Sequence, residues 1–120
     1  MTAPLQARAH ETYAYLTTTG RITGEPHRIE IWFGVHEGRI YLLSGGGDSS
    51  DWVKNLKADP RVTVEISDAT VRGVARFPMP DSSEDTLARN LLVSKYQKTD
   101  ELQEWRSRSL TVAIDLAEAG

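Results

Sequence analysis

Cysteine is absent from this chain. Its absence excludes disulfides, Cys-ligated zinc, iron–sulfur clusters and every mechanism built on a thiol nucleophile. Positive charge is also scarce: 14 Lys and Arg stand against 17 Asp and Glu, a net charge of -3 with a pI near 5.6. A nucleic-acid binder needs a basic face to release counterions, so no nucleic-acid partner is expected. No stretch approaches the roughly 18 apolar residues of a membrane span, and the opening MTAPLQARAHE lacks the apolar run of a signal peptide. A cytoplasmic protein with no integral membrane segment is the expectation. His10, His27 and His36 have no metal-ligand spacing, so no metal is assigned, and no Ser-His-Asp order marks a hydrolase. The 120 residues contain no repeat. They are read as one domain over 1–120, with 1–11 as a polar N-terminal leader that can form a short helix.

What the chain does have is alternation. Residues 12–19 are dense in β-branched and aromatic types and read as a strand. A turn rich in Gly and Pro follows at 20–26, then a strand over 27–35 with Ile29, Ile31, Phe33 and Val35 on one face and Arg28, Glu30 and Trp32 on the other. A second hairpin returns through 40–44. Gly45 to Ser50 is a loop, leading into a helix at 51–57 that Asp59-Pro60 ends. Strands at 61–67 and 70–77 make a third hairpin; Asp81 with Glu84 resembles a capping box opening a helix with Leu87, Leu91, Leu92 and Tyr96 inward. A short helix near 101–106 and a final strand at 110–116 complete the pattern. The fold class is mainly β with α (α+β), six or so mostly antiparallel strands with two to three helices, in a small barrel that closes its own edges.

Several residues carry possible chemistry. A Gly-rich loop running into a helix N-terminus, as at 45–51, offers backbone donors and a dipole to an anion. It also reads as a plain connection, and Asp48 and Asp51 would repel a phosphate there. Arg21 and Arg28 bracket a tight turn and could reach one anion together. Arg72 and Arg76 share a strand face and could extend a basic surface. Tyr13 and Tyr15 share a face of the first strand and either line a pocket or pack as half-buried aromatics. Trp32, on a polar face, wants a cover: a partner subunit or a flat ring.

The ordered motifs TTTGR-x-TG-x-PH at 17–27, YLLSGGG at 41–47, DWVKNLKADPRVTVEI at 51–66, LLVSKYQ at 91–97 and VAIDL at 112–116 resemble the deazaflavin-dependent nitroreductase-like oxidoreductases along nearly the whole chain. The resemblance implies a split β-barrel related to the pyridoxamine-phosphate-oxidase flavoproteins, a homodimer, and use of coenzyme F420 to reduce a quinone, enone or nitro compound. It also implies that Arg21, Thr23, His27 and Arg28 meet the coenzyme phosphate and tail, that Ser44, Gly45 and Gly46 form the loop passing phosphate and ring, and that Trp52, Lys54 and Asn55 close the site. Ser44, Tyr13 and Tyr15 are the candidate hydrogen-bond donors near the chemistry. Two family cations are missing, replaced by Ile22 and Gly45. Their loss keeps FMN as an alternative cofactor, and a non-catalytic coenzyme-binding or scaffold dimer as an alternative function.

Overall fold

The computed structural model describes residues 8–96 and 109–116. Alternating strands form one antiparallel sheet of seven: β1 (Ala14–Thr19), β2 (Pro26–Ile31), β3 (Gly34–His36), β4 (Arg39–Ser44), β5 (Arg61–Ile66), β6 (Ala69–Arg76) and β7 (Leu110–Leu116). Helix α1 (Asp51–Ala58) follows a single 3-10 turn at Gly47–Ser49, and α2 (Ser83–Lys95) precedes β7. The strand order is β2-β1-β5-β6-β7-β4-β3. Its two edge strands are neighbours in sequence, joined only by Trp32 and Phe33, so the sheet must coil until its edges approach each other. The result is an incomplete barrel.

The concave face holds the core, with Leu16, Phe33, Ile40, Leu42, Val64, Ile66, Val112 and Ile114 fully buried and Leu56 of α1 closing one end. Burying each such side chain contributes roughly 1.5–3 kcal/mol. β4 and β7 are buried on both faces, because Tyr41, Leu43 and Ala113 pack outward against Ala88 and Leu92 of α2. That second cover explains why β4 reads as a continuous apolar run, whereas the strands with one wet face alternate.

Three expectations are corrected. The segment 27–35 is two strands and not one, which brings the six or so expected strands to seven among the described residues. Phe33 leaves the ladder because the Tyr96 hydroxyl accepts from its N–H at 3.1 Å while Lys95 Nζ donates to its carbonyl at 3.0 Å. Trp32 has a cover within the chain that the sequence reading did not name, stacked on the Tyr96 ring at 4.2 Å and 2°. The cap of α2 is shifted by one residue: Ser82 accepts from Asp85 N at 3.2 Å, and the Asp85 carboxylate accepts from Asp81 N at 2.9 Å. Glu84 instead turns to Arg76 and Tyr41. The helix expected near 101–106 lies outside the described residues, as does most of the leader.

Candidate functional site

The β1–β2 turn is tied by two backbone bonds, Gly20 N to Glu25 O at 2.8 Å and Gly24 N to Gly20 O at 2.9 Å. Gly24 has φ +79°, where a side chain would be strained. Thr23 accepts from Glu25 N at 3.2 Å and stiffens the same turn. His27 folds its ring back onto Gly20, where a Cβ would lie 2.6 Å from Nε2.

This turn stands over α1 and is fastened to it by Asn55, a residue only 4% exposed. Asn55 Oδ1 accepts from Arg21 N at 3.2 Å and Arg21 Nη1 at 2.9 Å, while its Nδ2 donates to Thr18 Oγ1 at 3.2 Å. Arg21 makes weaker contacts of 3.4 Å with the Asp51 carbonyl and carboxylate. Between turn and helix lies a cavity of about 350 Å³, lined by Gly20, Arg21, Ile22, Thr23 and His27 on one side and Asp51 and Asn55 on the other.

The remaining candidates lie elsewhere. Arg28 faces the outer side of the sheet, bound to Glu65 at 3.1 and 3.4 Å with its guanidinium 4.1 Å above the Tyr15 ring. Arg21 and Arg28 therefore do not converge on one point in the structure. Tyr15 donates to Glu30 at 2.9 Å, a bond that raises the phenol above its ordinary range, and Tyr13 is 44% exposed. Ser44 is 2% exposed; its hydroxyl donates to Gly47 O at 3.0 Å and pairs with Ser50 Oγ at 2.8 Å, bracing the loop from within. Ser50 in consequence N-caps α1 with no side-chain bond of its own to the helix. Gly45 and Gly46 are exposed, Trp52 packs on the core, and Lys54 is exposed on α1.

Charge pairing decides which cations remain available. Arg76 binds Glu84 at 2.6 and 2.7 Å and Asp115 at 2.6 and 3.1 Å. Its carboxylate partners hold it firmly charged, and it extends no basic surface with Arg72. Among the described residues Lys54 and Arg72 make no ion pair or hydrogen bond with their side chains. Sequence reasoning missed Thr18 and Asp51 as partners in the Arg21 cluster. The signal was there in Asn55, a polar residue between Val53 and Leu56 on the buried stripe of α1.

A coiled antiparallel sheet whose edges nearly meet, with one helix closing its end and another over its back, is a split β-barrel. Solved structures with this architecture include an F420-H2-dependent reductase (24% identity over 88% of this chain and 94% of that one, TM-score 0.70). The heme storage protein HutZ from Vibrio cholerae (13% identity, 98% and 89% covered, TM-score 0.77) and a Listeria innocua structure described as a pyridoxamine 5'-phosphate oxidase (16%, 97% and 92%, TM-score 0.69) also share it. The barrel alone thus accompanies different named roles. The sequence is more specific: residues 5–117 match the model of the F420H(2)-dependent quinone reductase family, and the chain belongs to that family.

Proposed function

We propose that the protein is an F420H2-dependent oxidoreductase that delivers hydride to a small electrophilic acceptor, a quinone, enone or nitro compound. The observation that carries this reading is the cavity into which Asn55 holds Arg21, in a chain of the F420H(2)-dependent quinone reductase family. The cavity suits an anionic group. Arg21 meets the Asp51 carboxylate only at 3.4 Å, and that carboxylate is 87% exposed. A water-screened pair of this kind is worth at most about 1 kcal/mol, so a phosphate oxygen displaces it readily. Lys54 lies three residues beyond Asp51 on α1 and makes no ion pair among the described residues.

When bound, the reduced deazaflavin supplies the hydride; the protein binds, orients and shields it. Arg21, with Thr23 and His27 at the turn and Lys54 on the helix, holds the anionic part, and Asn55 keeps Arg21 aimed. Gly45 and Gly46 leave the adjoining loop without side chains, with Ser44 bracing it and Trp52 anchoring α1 beneath. Arg28 would have to release Glu65 to join them.

A second reading rests on Ile22, which is 86% exposed at the cavity lip where the family resemblance implies a cation. With fewer charges the cavity would favour the single phosphate of FMN. Titrating the purified protein with F420 and, separately, with FMN, followed by fluorescence, separates the two. Saturation with F420 alone is expected. Saturation with FMN alone selects the second reading, and saturation with neither sinks both.

A further inference from the structure

We infer a second anion site on the outer face of the sheet, built around Arg72, for the phosphate or carboxylate group of a small molecule. Antiparallel register places Arg28, Thr17, Thr63 and Arg72 in one row across β2, β1, β5 and β6. The neighbouring row is Glu30, Tyr15, Glu65 and Thr70. Both carboxylates of that second row are engaged near the β2 end, Glu65 by Arg28 and Glu30 by the Tyr15 hydroxyl. Arg72, at the opposite end, faces Thr63 across the ladder and makes no ion pair or side-chain hydrogen bond among the described residues.

Arg72 borders a concavity of about 470 Å³ that also takes in Thr17, Thr19, Thr63, Arg61 and Val74. No Asp or Glu lines it, and it shares no lining residue with the Arg21 cavity. Arg61 is held at the rim by Asp59, at 3.0 and 2.8 Å. The hydroxyls of Thr17, Thr19 and Thr63 make no hydrogen bond among the described residues, although all three are partly buried. A guanidinium fork beside free hydroxyl donors is the donor set that recognises an oxyanion with more than one oxygen. The volume exceeds that of an ion, and half-exposed Val74 gives an apolar contact for the rest of a small molecule.

The test is a titration of the full chain with inorganic phosphate and, separately, succinate at fixed ionic strength, followed by amide chemical shifts. Saturable shifts at Thr17, Thr63 and Arg72 are expected, and the probe that saturates at lower concentration identifies the ligand chemistry. Arg72→Gln should weaken that binding at least tenfold and Arg72→Lys less, whereas Lys54→Gln should leave it unchanged. Thermal unfolding of each variant establishes that it is folded, and should Arg72→Gln fail to fold, the Arg72→Lys titration decides. Absence of saturation with either probe would overturn the site, as would shifts that persist unaltered in Arg72→Gln. Shifts at these amides that follow protein concentration rather than anion would also overturn it, since a second copy of the chain would then be covering the face.

Discussion

Replacing Asn55 with Ala removes a buried amide that fastens the β1–β2 turn to α1 through Arg21 N, Arg21 Nη1 and Thr18 Oγ1. Net hydrogen bonds contribute about 0.5–1.5 kcal/mol each and those to charged groups about 1.5–3 kcal/mol, so a naive sum is about 2.5–6 kcal/mol. The realised loss is smaller, because Arg21 borders the cavity and regains water. Thr18, 2% exposed, does not. An expected loss of about 2–3 kcal/mol follows, to be read from the urea midpoint at constant m. Thr18→Val tests the inner bond: alone it orphans Asn55 Nδ2, but combined with Asn55→Ala it leaves neither side of that inner bond unpaired, so the double variant should recover about 1 kcal/mol relative to additivity. Arg21, released from its anchor, should also bind F420 about tenfold more weakly, about 1.4 kcal/mol. A stability loss under about 0.5 kcal/mol, strict additivity with Thr18→Val and unchanged F420 affinity would together refute Asn55 as the holder of the site.

The two arginines should now separate: Arg21→Ala is expected to weaken F420 binding by about 1–3 kcal/mol, while Arg28→Ala, placed on Glu65, should change it less than threefold in the same fluorescence titration. Gly45 has no left-handed φ, so Gly45→Lys should fold normally and tighten F420 several-fold, more at low salt, since an exposed cation is screened over about 8–10 Å; equal affinity at all salt concentrations would place the tail elsewhere. Arg76, then the Tyr41 hydroxyl, hold the Glu84 carboxyl down to about 2. A carboxyl depressed on folding stabilises the native state above its unfolded value and loses that contribution as pH falls from about 4.5 to 2. Urea midpoints at pH 7 and 3 should therefore converge in Glu84→Gln relative to the parent, and parallel pH slopes would count against the bridge. Gly73→Ala places a Cβ 2.6 Å from Ile114 Cγ2 and 2.8 Å from the Asp115 carbonyl oxygen, an overpacking of about 1–3 kcal/mol visible as a lowered Tm; an unchanged Tm would mean the β6–β7 pair yields more easily than its geometry suggests.

The strands were legible because each keeps at least one face on the core. The last strand was read at its observed bounds, Leu110–Leu116, and the hairpin strands within two residues. The one break missed, between β2 and β3, shows what alternation does and does not report. Ile29, Ile31, Phe33 and Val35 keep facing inward through the corner, so the pattern runs on while the pairing stops. What interrupts the pairing is Tyr96, 63 positions away. No local window contains that cause, and the capping shift at Ser82 has a similar origin, since Glu84 is drawn off by Arg76 and Tyr41 from the sheet below.

The candidate site was legible as motifs and not as charges. Gly20 to His27 and Asp51 to Asn55 do come together, because a hairpin turn and the helix that follows the sheet's return meet at one end of the barrel. Which cations stay available there depends on register. Arg21 and Arg28 look like a pair in sequence, yet strand pairing sets Arg28 beside Glu65 on the outer face. Arg72 and Arg76 look equivalent, two strand positions either side of Val74, but Arg76 faces Glu84 from α2 and Asp115 from β7 while Arg72 faces Thr63. A cation's capacity to bind an external anion is what remains after its neighbours across the sheet have been satisfied. Those neighbours come from strands tens of residues apart, so the charges left free among the described residues, Lys54 and Arg72, become identifiable only once every strand has its register, and of the two Arg72 lines a cavity.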